Sequence, residues 1–149
     1  MSHQPPDMAT VSPILIVKGA AQAIDLYSRV FGAIETSRME HPETKIVLHS
    51  MLKIGNSTLF VTDEQRSAGN YVVQGQQLYI YVEDVDDVIR KAQENGMTIT
   101  MPPTDMFWGD RMGAAVDKFG YRWSIATFKR QVSQAELKKA IQEASQAQQ

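Results

Sequence analysis

The stretch VSPILIVKGAAQAIDLYSRVFG, residues 11–32, decides how the chain is read. Residues 11–17 form an apolar run of strand length. Gly19 and Ala20 then open a pattern in which Ala20, Ala23, Ile24, Tyr27, Val30 and Phe31 recur at helical spacing. Gly32 follows as a C-terminal stop. Downstream, residues 34–38 read as a strand and His41-Pro42-Glu43 as a turn. Residues 45–54 make a second strand that ends at Gly55-Asn56, and residues 58–62 a third.

The same order returns in the second half. QLYIYV, residues 77–82, is a strand, and Asp84 is a good helix N-cap with Asp86 and Asp87 in the first turn. Val85, Val88, Ile89 and Ala92 make the apolar stripe, and Gly96 ends the helix. Residues 97–101 are a strand closed by Pro102-Pro103, residues 112–116 another, and residues 121–127 the last. Val17 aligns with Val82, Ala20 with Val85, Ala23 with Val88 and Ile24 with Ile89, all 65 apart. Gly55 and Gly120 keep that offset, while Gly32 and Gly96 are 64 apart. Agreement in strand, helix, stop glycine and hairpin glycine points to a duplication. The expected fold is α+β: two tandem βαβββ modules, at about 10–64 and about 76–128, and a C-terminal helix at about 133–147. Ser133 with Glu136 forms a capping box for that helix, and Val132 with Leu137 a hydrophobic staple. Its Gln-rich end, from Gln146, is expected to fray.

Composition narrows the function classes. The chain has 149 residues, 43% apolar and 21% charged, which is the profile of one ordinary globular domain. Net charge is -2 with no basic stripe, so nucleic acid is not the expected partner. There are no cysteines, which excludes disulfides, thiolate metal sites and a Cys nucleophile. The first ten residues lack the layout of a signal peptide and no apolar run reaches spanning length. The expectation is a cytoplasmic protein with no membrane partner.

The segments ILIVKGAAQAIDLYSRVFGA and MFWGDRMGAAVDKFGYRWSIAT resemble the opening and closing motifs of the glyoxalase/bleomycin-resistance (vicinal oxygen chelate) superfamily, the second in its PhnB-like branch. With YVEDVDDV, the similarity covers most of residues 11–128. The resemblance implies sheets that curl into a cup around a small molecule, and a homodimer. Some PhnB-like proteins are labelled ubiquinone-pathway methyltransferases, but the first strand here is not followed by a glycine-rich nucleotide loop.

Metal-dependent relatives place four His, Gln or Glu ligands in the cup, on the first and last strands of each module. The resemblance maps these positions to Ser12, Phe60 (Leu59 if the register slips), Gln77 and Ser124. That set has no carboxylate and no imidazole, and Phe60 cannot ligate. No metal or other cofactor is therefore expected. His41, Glu40 and Glu43 share one turn and read as a solvated turn, with His49 alone on the next strand and His3 in the tail.

Strand alternation then sorts the faces. Leu78, Ile80 and Val82 are expected under the helices. Gln77, Tyr79 and Tyr81 face the cup, as do Ser12, Ile14 and Ile16 by the repeat, joined by Phe60 and Ser124. The string FWGDR places Trp108 as a wall and Arg111 as a binder of an anionic ligand group, or else Asp110 and Arg111 as fixers of a loop. Asp117 is expected to support the DKFG turn, with Trp123 in the core. Ser12 and Ser124 have no His–Asp partners, so no catalytic residue is assigned. The expected function is metal-free binding of a small, partly aromatic or apolar molecule. The alternatives are a metal-dependent lyase, isomerase or dioxygenase with displaced ligands (His49, Glu64 and Gln77), and a drug-sequestering resistance protein.

Overall fold

The computed structural model of the chain describes residues 3–69, 71–73 and 75–147. It divides into two compact units, Met1–Gln76 with Lys118–Tyr121, and Gln77–Asp117 with Arg122–Gln149. Each contains one four-stranded mixed sheet in the βαβββ order expected from the repeat.

In unit 1, β1 (Ile14–Val17) and β4 (Ser57–Asp63) run parallel, with Ile14 opposite Phe60. β3 (Val47–Ile54) and β2 (Ile34–Glu40) continue the sheet, in the order β1-β4-β3-β2. Leu15, Val17, Leu52 and Val61 point to one face and are fully buried, together with Ala20, Ala23 and Tyr27 of α1 (Ala20–Phe31). α1 ends on Gly32 in the left-handed conformation at φ 69°, where a side chain costs energy and glycine does not. Its start has no capping side chain of its own. Asp63, at the end of β4, takes that role: its Oδ1 accepts from Gly19 N at 3.0 Å and Ala20 N at 2.9 Å, and its Oδ2 from Val47 N at 2.7 Å. The edge strand β1 is closed by Tyr121, whose hydroxyl accepts from Ile16 N at 2.9 Å and donates to Ile16 O at 3.3 Å.

Unit 2 has the order β5-β8-β7-β6, from β5 (Gln76–Tyr81), β6 (Thr98–Asp105), β7 (Asp110–Val116) and β8 (Tyr121–Phe128). α2 (Val85–Glu94) buries Val85, Ile89 and Ala92. Asp84 caps it, accepting from Asp87 N, and the Thr127 hydroxyl accepts from Val85 N at 2.9 Å. Trp123 is buried and its Nε1 donates to Asp117 at 3.0 Å, so Asp117 serves the core. Leu78, Ile80 and Val82 are half-buried. α3 (Gln134–Ala147) starts at Ser133, whose hydroxyl accepts from Glu136 N at 3.1 Å and donates to Glu136 Oε1 at 3.4 Å, the capping box read from the sequence. The last two residues of the Gln-rich end lie outside the described residues.

Several strand boundaries differ from the sequence expectation, and those of β1, β3, β6 and β7 bear on the site. β1 begins at Ile14, not at residue 11, so Ser12 precedes the strand. Pro13 has no N–H to give the ladder, although its carbonyl accepts from Phe60 N at 3.0 Å. β3 begins at Val47, after a turn in which Lys45 has φ 65°. β6 does not stop at Pro102 but runs on to Asp105. It is an edge strand paired with β7 alone, and its register shifts between Met101 and Thr104, which takes both prolines out of the ladder. β7 begins at Asp110, two residues before the expected start, which fixes the faces of Asp110 and Arg111.

Candidate functional site

Alternation along β7 and β8 defines the two faces of the unit 2 sheet. Gly113 faces α2: a Cβ built there would lie 2.9 Å from Ile89 Cδ1. Arg111 and Ala115 share that side, and Asp110, Met112 and Ala114 take the other. Arg111 Nε and Nη2 donate to Asp86 of α2 at 2.8 and 3.0 Å, and Nη1 donates to Asp105 at 3.2 Å. Asp86 and Asp105 hold the guanidinium well above its ordinary range, and Arg111 holds the Asp86 carboxyl below its own. Asp110 and Arg111 thus fix structure by separate partners. They do not pair with each other as a duo, and two carboxylates already occupy the group read as an anion binder.

On the opposite face, Asp110 is buried and collects three donors on one oxygen. Tyr79 Oη reaches Oδ2 at 2.7 Å, Tyr81 Oη at 3.0 Å and Trp108 Nε1 at 3.2 Å. Trp108 Nε1 also lies 3.5 Å from Tyr79 Oη. The two tyrosine rings stand 5.4 Å apart and both stay substantially exposed, at 46% and 61%. Burial of its hydroxyl, then the bond to Asp110, pushes the Tyr79 phenol up to about 12. The bond to Asp110, then burial, raises that of Tyr81. The hydroxyls are anchored and much of each ring stays exposed. Trp108 reaches this cluster because Gly109 turns the chain at φ 103°, with its Cα so close to Arg130 O that a Cβ would sit 2.0 Å away. A cleft of about 710 Å³ opens beside Asp110, with Met106, Phe107 and Lys129 among its walls.

Further along the same face, Arg122 Nη1 donates to Gln77 Oε1 at 3.2 Å and to Ser124 Oγ at 3.3 Å. Gln77 is exposed and Ser124 buried.

In unit 1 the face away from α1 carries Ile14, Ile16, Phe60 and His49. Ile14 is 59% exposed, and the Phe60 ring packs on His49 at 5.1 Å. Thr58 and Thr62 flank Phe60, and their buried hydroxyls have no hydrogen-bond partner among the described residues. Ser12 is half-buried just before the strand. Glu64 is committed elsewhere: it accepts from Val72 N at 2.7 Å and from Arg66 at 2.9 Å, and these bonds hold its carboxyl below the usual range.

The helix starts also settle the repeat register. Asp63 serves Ala20, and Thr127 serves Val85, an offset of 64 in the last strands. That offset matches Phe60, not Leu59, to Ser124.

These residues do not fit a divalent ion. Phe60 offers a ring, stacked on the nearest imidazole. The Gln77 and Ser124 oxygens converge on a point that the Arg122 guanidinium occupies, so a second cation there would meet a fixed positive charge. No group of three or more His, Asp or Glu able to hold a metal occurs among the described residues.

Two βαβββ modules, each a four-stranded mixed sheet with its helix on one face, define the class of fold. The chain belongs to the glyoxalase/bleomycin resistance protein/dioxygenase superfamily, whose model matches residues 8–125. Mb0911c of Mycobacterium bovis is 32% identical over an alignment of 139 positions that covers 88% of this chain and 91% of that protein. Among solved structures, PA1353 of Pseudomonas aeruginosa superposes with a TM-score of 0.66 at 20% identity, covering 82% of this chain and 99% of that one. The PhnB protein of Bacillus cereus gives 0.64 at 21% identity, over 80% and 99%. Among the described residues, no helix is long and apolar enough to cross a membrane.

Proposed function

We propose that the chain binds a small, partly aromatic molecule on the unit 2 sheet face opposite α2, and does so without a divalent ion. The observation that carries this is the convergence of Tyr79, Tyr81 and Trp108 on the Asp110 carboxylate. Anchored hydroxyls leave exposed π-faces at fixed angles, and rigid aromatic area binds at low entropic cost. An apolar surface with a few placed polar groups is the usual make-up of a ligand site. Ser12, Ile14 and Phe60 are proposed as lining of the unit 1 face. Arg111 no longer belongs in the proposed set, since α2 holds it.

Isothermal titration with 2-naphthamide, a neutral aromatic probe, tests the reading. Saturable binding is expected, weakened at least about tenfold when Tyr79 and Tyr81 are both changed to Ala. A flat titration overturns the proposal. Elemental analysis after purification without chelators tests the other half, and one bound transition metal per chain overturns it. A cytoplasmic homodimer, as the family resemblance implies, completes the proposal; a monomer in sedimentation equilibrium would remove that element.

A further inference from the structure

We propose that Arg122 is the anion anchor of this site, so that its preferred ligands are aromatic or apolar molecules bearing a carboxylate or a similar oxyanion. The inference rests on the small-molecule reading of the unit 2 face and names the ligand class for it.

The case begins with the arginines. Arg29, Arg38, Arg66, Arg90, Arg111 and Arg130 each have a carboxylate within 3.2 Å. Arg122 is the exception among the described residues. Its partners are two neutral acceptors, Gln77 Oε1 and Ser124 Oγ, and both use the single nitrogen Nη1. Nε and Nη2 have no partner among the described residues, so the fork that reads a carboxylate in bidentate fashion is left open. The group is also half-buried, where water competes less for it than at a fully exposed site.

Placement supports the assignment. Arg122 and Ser124 lie two apart on β8 and so share a face, and Gln77, Tyr79 and Tyr81 alternate onto the same side of β5. A ligand whose ring lies on the tyrosines would carry its charged end toward Arg122. Gln77 and Ser124 hold the guanidinium without neutralising it, which a carboxylate partner would do.

The test compares 2-naphthoate with neutral 2-naphthamide by isothermal titration at low salt. The wild-type chain is expected to prefer the anion by at least about tenfold, the strength of a charge-assisted bidentate pair. In Arg122→Gln the preference falls to about one, while Arg90→Gln, on the outer side of α2, keeps it. If the Gln variant does not fold, Arg122→Lys keeps the charge and loses the fork, and the preference drops severalfold. An unchanged preference in either Arg122 variant overturns the assignment, as does equal binding of both probes to the wild type, which leaves the small-molecule reading standing. Failure of both probes to bind removes that reading and this inference with it.

Discussion

The two units share one topology and use a carboxylate in opposite ways. In unit 1, Asp63 binds three backbone N–H groups and joins the start of α1 to the start of β3. In unit 2 the corresponding position is Thr127, which serves α2 with one bond, and Asp84 adds a second. Asp110, one of two buried carboxylates of unit 2, collects the hydroxyls and indole of a sheet face instead. The two units thus share a frame, and a carboxylate that holds it in unit 1 contrasts with one that furnishes an open surface in unit 2. The unit 1 face shows the reverse: a Phe60–His49 stack and two threonine hydroxyls without partners among the described residues.

The comparison is tested most severely at Asp63. Asp63→Ala leaves three backbone donors without their acceptor and is expected to cost about 3 kcal/mol in urea denaturation. Thr127→Val and Asp84→Ala each remove one such bond from unit 2 and are expected to cost about 1 kcal/mol apiece. Their bonds go to Val85 N and Asp87 N in one helix turn, so the double variant is expected to depart from the sum, and that departure measures their coupling. If Asp63→Ala costs no more than Thr127→Val, the two helix starts are held equally and the contrast fails.

Much of this frame was legible in the sequence because it is periodic. Apolar spacing gave α1, α2 and the two stop glycines, and the duplicated offset cross-checked them. What escaped was aperiodic. Pro13 ended the ladder early and left Ser12 outside β1, although the residues around it are as apolar as a strand. Pro102 and Pro103 looked like a stop, yet an edge strand with a register shift absorbs them. Starting β7 two residues late hid the alternation that sends Asp110 and Arg111 to opposite faces. The tyrosines and Trp108 were placed together with their anchor unrecognised, because nothing in FWGDR says which carboxylate will be buried. Arg122 belongs to no local motif, and only its two-residue spacing from Ser124 puts it on the same face.

The smallest expected effect is also the most specific to unit 2. The Tyr79 phenol has an ordinary value of 10.0 and is held at about 12. A phenol whose folded value exceeds its unfolded one contributes stability that is whole below pH 10 and fades as pH rises toward about 12. Because the residue is 46% exposed, solvent screens most of that contribution, and spectrophotometry is the sharper probe. Absorbance of tyrosinate is expected to show Tyr79 and Tyr81 both ionising above the ordinary range in the wild type, Tyr79 the later. In Asp110→Asn the carboxylate charge is gone while the burial remains, so the late step is expected to move down part of the way. The stability cost is expected to be about 1 kcal/mol, well short of that at Asp63. A late step that does not move would mean that burial alone sets it, and that Asp110 shapes the face without governing its ionisation. A stability loss equal to that of Asp63→Ala would mean that both carboxylates hold the frame, and the division of labour between the units would be gone.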